Sequence, residues 1–164
     1  DCVHIGSFGI LDSPPDLVIS GINIGANNGT AYATGSGTLG AAIEASNIGV
    51  GGVAFSAMSE GRWHEWVRWV QTESALEMWN RLAGIAADIV SVVLETGVPE
   101  HVDALSVNLP AGAKITTKRV VTGFARTRYG ALLAGSNGRY EHAYDGNLRS
   151  EGDLTGSDLE ALDA

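Results

Sequence analysis

One stretch near the start of the chain constrains the fold more than any other. The apolar run Leu17-Val18-Ile19 follows two prolines, a pattern typical of a short strand buried on both faces. A polar, glycine-containing loop comes next, and Ser36 then precedes apolar residues spaced three or four apart, namely Leu39, Ala42 and Ile43. Because serine is a preferred N-cap, we predict a helix from Ser36 to about Ser46. A strand, a loop and a helix in this order form the anion sites of many α/β proteins.

The alternation of strands and helices continues along the chain. Val53–Ser56 is predicted to be the next strand, and Asp103–Leu109 a third. Between them, Glu60–Gln71 has a short amphipathic pattern, and a longer helix is predicted from Thr72 to Thr96, with Gly97 and Pro99 as its stop signals. Its predicted apolar face comprises Leu76, Trp79, Ala83, Ala86, Val90 and Val93. We therefore predict an α/β fold with a three-layer, Rossmann-like, mostly parallel sheet.

The pattern changes after Lys114. The β-favouring run Ile115–Thr122 and the turn signal Ser136-Asn137-Gly138 predict a protruding β-hairpin over about residues 115–143. From about residue 144 to 164 the sequence is acidic and poor in large apolar side chains, so an acidic loop or frayed end is expected. Residues 1–164 are predicted to form a single α/β domain, which is incomplete because the chain opens on Asp1 rather than Met.

Composition excludes several classes of function. The chain has 164 residues, a net charge of −9 and a pI of about 4.7, so it lacks the basic stripe that a polynucleotide groove requires. A small phosphorylated substrate remains compatible with this charge, because backbone N–H groups and a cation can hold it. The single Cys2 forms no internal disulfide and no run of about 18 apolar residues is present, so we expect a cytoplasmic protein without a membrane span.

Two groups of residues in the first strand–loop–helix unit are candidates for binding. The amide oxygen of Asn23 could ligate a hard divalent cation, although a turn-forming asparagine explains the same spacing. A predicted helix N-terminus, which favours an anion, carries the hydroxyl and N–H groups of Ser36, Gly37 and Thr38. Ordinary helix capping is the alternative explanation, and it requires only one of these three residues. Ser56 and Asn108, at two other strand ends, could line the same crevice or serve packing alone.

Other familiar sites are not supported. No lysine follows Gly37 or Gly40 as a P-loop requires, and Gly21–Gly25 lacks the glycine spacing of a dinucleotide fingerprint. The four histidines lie far apart in the sequence, without the close pairing of a zinc motif.

Four stretches of this chain resemble the SurE family of survival proteins, which are metal-dependent 5′/3′-nucleotidases. They are Pro15–Asn23 with Gly25, Asn27 and Gly29, then Ser36–Glu44, Val53–Ser56 and Leu105–Pro110. The resemblance implies that Asn23 joins the shell of a divalent metal, Mg or Mn, and that Asn27, Ser36, Gly37 and Thr38 surround the phosphate of a nucleoside monophosphate. It also implies a homo-oligomer, a dimer or tetramer.

The resemblance further implies that this chain holds only part of the site. The family's catalytic aspartates stand in an Asp-Asp-Gly turn upstream of the matched region, and these 164 residues contain no Asp-Asp pair. We therefore expect no catalytic residue in this chain, nucleotidase activity in the parent protein, and no activity from the chain by itself. The alternative is a non-catalytic nucleotide- or phosphate-binding module on the same scaffold.

Overall fold

The computed structural model describes residues 1–130, 133–142 and 148–163. They form two compact units: Asp1–Asn27 with Ser36–Arg119, and Asn28–Gly35 with Val120–Ala164. In chain order the helices are α1 (Cys2–Ile5), α2 (Gly29–Gly35), α3 (Gly37–Asn47), α4 (Trp63–Trp69), α5 (Leu76–Thr96) and α6 (Asp158–Asp163). The strands are β1 (Leu17–Asn23), β2 (Gly51–Met58), β3 (Leu105–Pro110), β4 (Thr127–Tyr129), β5 (Leu133–Ser136), β6 (Arg139–His142) and β7 (Leu148–Ser150).

The first unit is built on a parallel sheet of three strands in the order β1-β2-β3. Ile19 pairs with Val53, and Phe55 pairs with Val107; the β1–β2 pairing has one irregularity, between Ser20 and Asn23. Helix α3 connects β1 to β2, and α4 and α5 connect β2 to β3. The predicted α/β fold with parallel strands and helical crossovers is confirmed.

The two faces of β2 pack against different helices. Val53, Phe55 and Ala57 belong to a buried cluster with Trp66 and Val70 and with the buried side of α5. That side of α5 comprises Met78, Leu82, Ile85, Ala86 and Val93. On the other face, a Cβ added to Gly52 would lie 2.1 Å from the carbonyl oxygen of Ala42, so α3 packs directly on the strand backbone. Only a glycine at this position permits such a close approach.

The predicted start of α3 and end of α5 are confirmed, but the start of α5 and the buried faces are partly wrong. Thr72 is followed by a 3-10 turn, Glu73–Ala75, and α5 begins at Leu76. Ser36 is the N-cap of α3, and Gly97, with φ +77°, ends α5. In α3, Ile43 is 41% exposed, whereas Ala45 is fully buried. In α5, Leu76 and Ala83 are exposed, and Met78 and Leu82 take the positions against the sheet. Both helices have apolar side chains around more than half of their circumference, so the sheet selects the buried stripe.

The chain begins with a helical segment in which α1 continues into a π-helical turn, Gly6–Ile10. Four large apolar side chains of this segment and the residue after it are at least half exposed: Ile5, Phe8, Ile10 and Leu11. Across the described ranges, no helix combines the length and the apolar character needed to cross a bilayer.

The second unit contains α2, two antiparallel strand pairs and α6. Strands β5 and β6 form a hairpin around Asn137 and Gly138, both with positive φ, which confirms the predicted turn. Strand β4 pairs with β7. The carboxylate of Asp158 accepts hydrogen bonds from the N–H groups of Gly29 (2.7 Å) and Ala125 (2.8 Å) and is buried.

Three expectations for this part of the chain differ from the structure. Residues 115–122 form no strand, and Ile115, Val120 and Val121 are exposed, so the hairpin is limited to 133–142. The described part of the segment expected to be an acidic loop or frayed end contains β7 and α6; residues 143–147 and 164 lie outside the described residues. The loop expected before Ser36 contains helix α2.

Candidate functional site

A row of three polar residues crosses the carboxyl end of the parallel sheet. Asn23 is the last residue of β1 and pairs with Ser56 of β2, and Ser56 pairs with Asn108 of β3. Both Ser56 and Asn108 lie two residues before the ends of their strands. Open α/β sheets bind their ligands at this edge, so the register alone brings one hydroxyl and two amide side chains to the expected place.

Asn27 connects the loop after β1 to the other two strands. Its side-chain Nδ2 donates to the Ser56 hydroxyl at 2.6 Å, and its backbone N–H donates to Asn108 Oδ1 at 2.8 Å. Asn27 is 5% exposed and Ser56 is 1% exposed, so the bond between their side chains is buried, while the bond to Asn108 is partly buried. Hydrogen bonds in a buried setting favour one geometry, because breaking them leaves polar groups without a partner. The side chain predicted to surround the phosphate therefore holds the loop in position across the sheet.

The backbone between Asn23 and Asn27 is also held from the side of α4. The indole N–H of Trp66 donates to the carbonyl oxygen of Ile24 at 2.5 Å. A Cβ placed on Gly25 would lie 3.0 Å from the ring of Trp63, so the loop passes closely over this indole. Asn23 Nδ2 donates to the Gly25 carbonyl oxygen at 2.6 Å. Because Nδ2 is engaged in this hydrogen bond, Oδ1 is the side-chain atom of Asn23 that can coordinate a cation or accept a hydrogen bond from a ligand.

The path of β1 changes just before Asn23. Its pairing with β2 shifts between Ser20 and Asn23, where Gly21 has φ +107°. A Cβ on Gly21 would lie 2.2 Å from the carbonyl oxygen of Phe55. Any other residue at this position would push β1 away from β2 and displace the end of the strand. This irregularity in the β1–β2 pairing therefore determines the position of Asn23 at the end of the strand.

The N-terminus of α3 has the composition of an anion site. The Ser36 hydroxyl accepts from the N–H of Leu39 at 3.0 Å, and the first helical bond runs from Gly40 N–H to the Ser36 carbonyl. The N–H groups of Gly37 and Thr38 precede that bond, so the helix itself does not use them. Gly37 is exposed and Thr38 is half-buried. Ser36 is therefore a cap, and its hydroxyl hydrogen is still available to a ligand.

The structure joins some of the predicted residues but not others. Asn27 is bonded to Ser56 and Asn108, two residues that the sequence placed in the crevice without assigning them a role. The signal for them was a polar residue near the end of an apolar strand. Among the hydrogen bonds of the described residues, none links Asn23 to Ser36 or Thr38.

The described residues do not supply a complete ligand shell for a divalent cation. Within the described ranges, no group of three His, Cys, Asp or Glu side chains is arranged to hold a metal. A hard cation binds six or more oxygens and favours several carboxylates. The Oδ1 of Asn23 offers one neutral oxygen, and Asn108 Oδ1 already accepts from Asn27. Asn23 could therefore be one ligand of a metal site, but the described residues do not form a complete site.

Comparison with known proteins identifies relatives of this chain. A family described as "Survival protein SurE" matches residues 1–131. The "5'-nucleotidase SurE" of Methanocella arvoryzae is 38% identical over 99% of this chain and 60% of the relative. That of Methanosarcina mazei is 40% identical over 77% of this chain and 46% of the relative.

A solved structure shows the same fold. The crystal structure of the SurE protein from Aquifex aeolicus superposes with a TM-score of 0.67 at 29% identity, covering 99% of this chain and 61% of that protein. The chain therefore spans about three fifths of the length of the relatives that it matches over nearly all of its own residues.

Proposed function

The chain belongs to the SurE family, and on that premise we propose that the complete protein containing it is a nucleotidase that hydrolyses nucleoside monophosphates to nucleoside and phosphate with a divalent cation. The observation that carries this proposal is the row of Asn23, Ser56 and Asn108 at the carboxyl end of the sheet, fixed by the two hydrogen bonds of Asn27. Relatives that are 38–40% identical are named 5′-nucleotidases, which supports the nucleotidase part of the proposal.

In this proposal the N-terminus of α3 binds the phosphate. The N–H groups of Gly37 and Thr38 donate to its oxygens, and the Ser36 and Thr38 hydroxyls add further donors. The helix dipole favours the negative charge, which lets an acidic protein hold an anion without an arginine clamp. Because these donors are fixed before substrate arrives, they stabilise charge that develops on the phosphoryl oxygens during the reaction.

Asn23 is proposed to give one oxygen ligand, Oδ1, to a magnesium or manganese ion. Its Nδ2 bond to Gly25 and the Trp66 bond to Ile24 hold that oxygen in one orientation. When bound, such an ion polarises phosphoryl oxygens and lowers the pKa of a bound water. The carboxylates that complete the shell are proposed to come from outside this chain, so the chain by itself is expected to be inactive and to contain no catalytic residue.

The test is to assay the complete protein with nucleoside monophosphates in magnesium or manganese, with and without a chelator. We expect phosphate release that the chelator abolishes and that added metal restores. The 164-residue chain, assayed alone in parallel, should release no phosphate. Metal-independent turnover, or no turnover by the complete protein, would contradict the proposal.

The lack of a three-ligand metal cluster in the described residues favours one second candidate, a nucleotide- or phosphate-binding module without catalysis. The two candidates differ in the sequence upstream of Asp1. An Asp-Asp-Gly turn there supports hydrolysis, whereas its replacement supports binding alone. Equilibrium dialysis with a labelled nucleoside monophosphate would then show binding without phosphate release.

Two further features remain predictions. We propose that the complete protein is a homo-oligomer, a dimer or tetramer, in the cytoplasm. Light scattering coupled to size-exclusion chromatography would give the mass in solution, and a monomer mass at micromolar concentration would contradict the first of these predictions.

A further inference from the structure

An open hollow lies beside the loop that follows β1. It is lined by Glu60, Glu65, Trp66 and Trp69 and has a volume of about 250 Å³. Glu60 comes two residues after the end of β2, and its Oε1 atom lies 3.7 Å from a Cβ placed on Gly112, which follows β3. The hollow is therefore at the same carboxyl edge of the sheet as Asn23, Ser56 and Asn108.

Two contacts connect α4, which forms part of this hollow, to the loop that follows Asn23, the proposed metal ligand. Trp66, which forms one wall, donates its indole N–H to Ile24, the residue after Asn23. Trp63, one turn earlier on α4, contacts Gly25. A Cβ on Gly25 would lie 3.0 Å from the Trp63 ring and 4.0 Å from Asn23 Nδ2, so the ring and the amide are within about 7 Å of each other. Trp66 and Trp69 on the same helix line the hollow, so α4 places both the hollow and the Trp63 ring beside the loop that follows Asn23.

The lining combines an aromatic surface with hydrogen-bond acceptors. Trp69 is 38% exposed, and its ring packs against that of Trp66 with centroids 5.5 Å apart. The exposed carboxylates of Glu60 and Glu65 supply the acceptors, and His64 Nε2 lies 3.8 Å from Glu65 Oε1. Two carboxylates repel a phosphate group, so the hollow suits a neutral, flat ring that carries N–H donors.

We propose that this hollow binds the nucleobase of the substrate, with the base against Trp69 and its amino group donating to Glu60 or Glu65. The proposal rests on the proposed nucleotidase function and adds to it a preference for bases with an exocyclic amino group. A carboxylate accepts from the amino group of cytosine or adenine, whereas it faces a keto oxygen at the corresponding position of uracil or hypoxanthine.

The test compares kcat/KM of the complete protein for matched substrates. AMP against IMP and CMP against UMP change only the group proposed to face the carboxylates, and glycerol phosphate has no base. We expect wild type to prefer the amino-bearing member of each pair by about tenfold or more, because a site built for a donor rejects an acceptor. In the double variant Glu60→Gln with Glu65→Gln, both preferences should fall to about one- to threefold. The matched control Glu77→Gln, an exposed glutamate on α5, should keep them.

A second variant separates base binding from the chemistry. Trp69→Leu should lower kcat/KM for AMP and CMP by about tenfold, since base–aromatic stacking contributes strongly to binding, and leave glycerol phosphate hydrolysis unchanged. Equal kcat/KM for AMP and IMP in wild type, or loss of activity on all three substrates in Trp69→Leu, would overturn the nucleobase proposal while the nucleotidase proposal stands. No hydrolysis of any substrate by wild type would instead reject the nucleotidase function.

Discussion

The side-chain amide of Asn27 donates a 2.6 Å hydrogen bond to the hydroxyl of Ser56, which is 29 positions further along the chain and 1% exposed. This bond ties the loop after β1 to the middle strand of the sheet. Together with the bond from Asn27 N–H to Asn108, it spans the sheet from β1 to β3 at the edge where Asn23 stands. The geometry of the candidate site therefore depends on a buried polar contact between the loop after β1 and the middle strand, β2.

Replacing Asn27 by alanine tests how much this contact contributes. The variant leaves the buried Ser56 hydroxyl without its donor, so we expect the free energy of unfolding to fall by about 1–3 kcal/mol. Urea unfolding followed by tryptophan fluorescence gives that value. The control is Asn80→Ala on the exposed side of α5, where the change should stay within about 0.5 kcal/mol. Equal stability of the two variants would show that Asn27 does not hold the loop.

Two substitutions at Ser36 separate capping from phosphate binding. Ser36→Ala removes the cap of α3 and should cost about 1 kcal/mol of stability. Ser36→Asp keeps an N-cap acceptor, so thermal unfolding should stay close to wild type, but its negative charge repels a phosphate. In the complete protein we expect Ser36→Asp to raise KM for a nucleoside monophosphate by about tenfold or more. An unchanged KM in this variant would leave Ser36 as a cap alone.

The proposed metal role of Asn23 is tested by removing its oxygen. In the complete protein, Asn23→Ala should weaken the apparent affinity for manganese by about tenfold or more, because one ligand is lost from the shell. Asn23→Asp retains an oxygen and adds charge, so it should bind manganese at least as tightly as wild type. Titration of activity with manganese, or of the electron paramagnetic resonance signal of free manganese, measures both. The same manganese affinity in wild type, Asn23→Ala and Asn23→Asp would show that Asn23 is not a metal ligand.

A pair of glycine substitutions tests the close packing of α3 on β2. A methyl group at Gly52 would lie 2.1 Å from the Ala42 carbonyl oxygen, so Gly52→Ala should lower the free energy of unfolding by about 1–3 kcal/mol or more. Gly84, inside α5, has open space at the corresponding position. Gly84→Ala should therefore raise the free energy of unfolding by about 0.5–1 kcal/mol. Differential scanning calorimetry of the two variants should show shifts of opposite sign.

One carboxyl group should titrate abnormally. The Thr155 hydroxyl and backbone N–H donate to Asp153 Oδ1 at 2.7 and 3.0 Å and hold the pKa of that carboxyl below its usual value. A lowered folded-state pKa stabilises the native state above the unfolded pKa, and this contribution is lost as pH falls through the folded value. In a carbon-detected NMR titration, Thr155→Ala should raise the pKa of Asp153, because the hydroxyl donor is removed. An unchanged midpoint would contradict this assignment.

Several elements of the fold could be predicted from short stretches of sequence. The apolar run ending in Ile19 becomes β1, Ser36 caps α3, Gly97 ends α5, and Asn137 with Gly138 turns the hairpin. Each of these features depends on a residue's own backbone preferences or on neighbours within a few positions. The crossovers between parallel strands follow from the order of the elements, because such connections have one hand.

Helix α2 shows what the sequence did not reveal. It has seven residues with glycine at both ends, and isolated helices of that length are marginal in water. Its N–H groups at Gly29 and Ala31 are paired with Asp158 and Thr127, about a hundred positions away or more. The β-favouring run after Lys114 shows the opposite case. No strand of the described residues pairs with residues 115–122, so this segment forms no strand despite its β-propensity.

The sequence by itself determined the alternation of strands and helices in the parallel-sheet unit, the N-cap of α3, the end of α5 and the hairpin turn, because short-range backbone and side-chain preferences decide them. It also placed Ser56 and Asn108 at strand ends and Asn23 in the loop after the first strand, whereas β1 continues to Asn23 in the structure. Only the tertiary structure decided that Asn27 binds Ser56 and Asn108 and which stripe of α5 is buried. Those outcomes depend on strand register and on the competition among apolar surfaces for one sheet, and both arise from residues far apart in the chain.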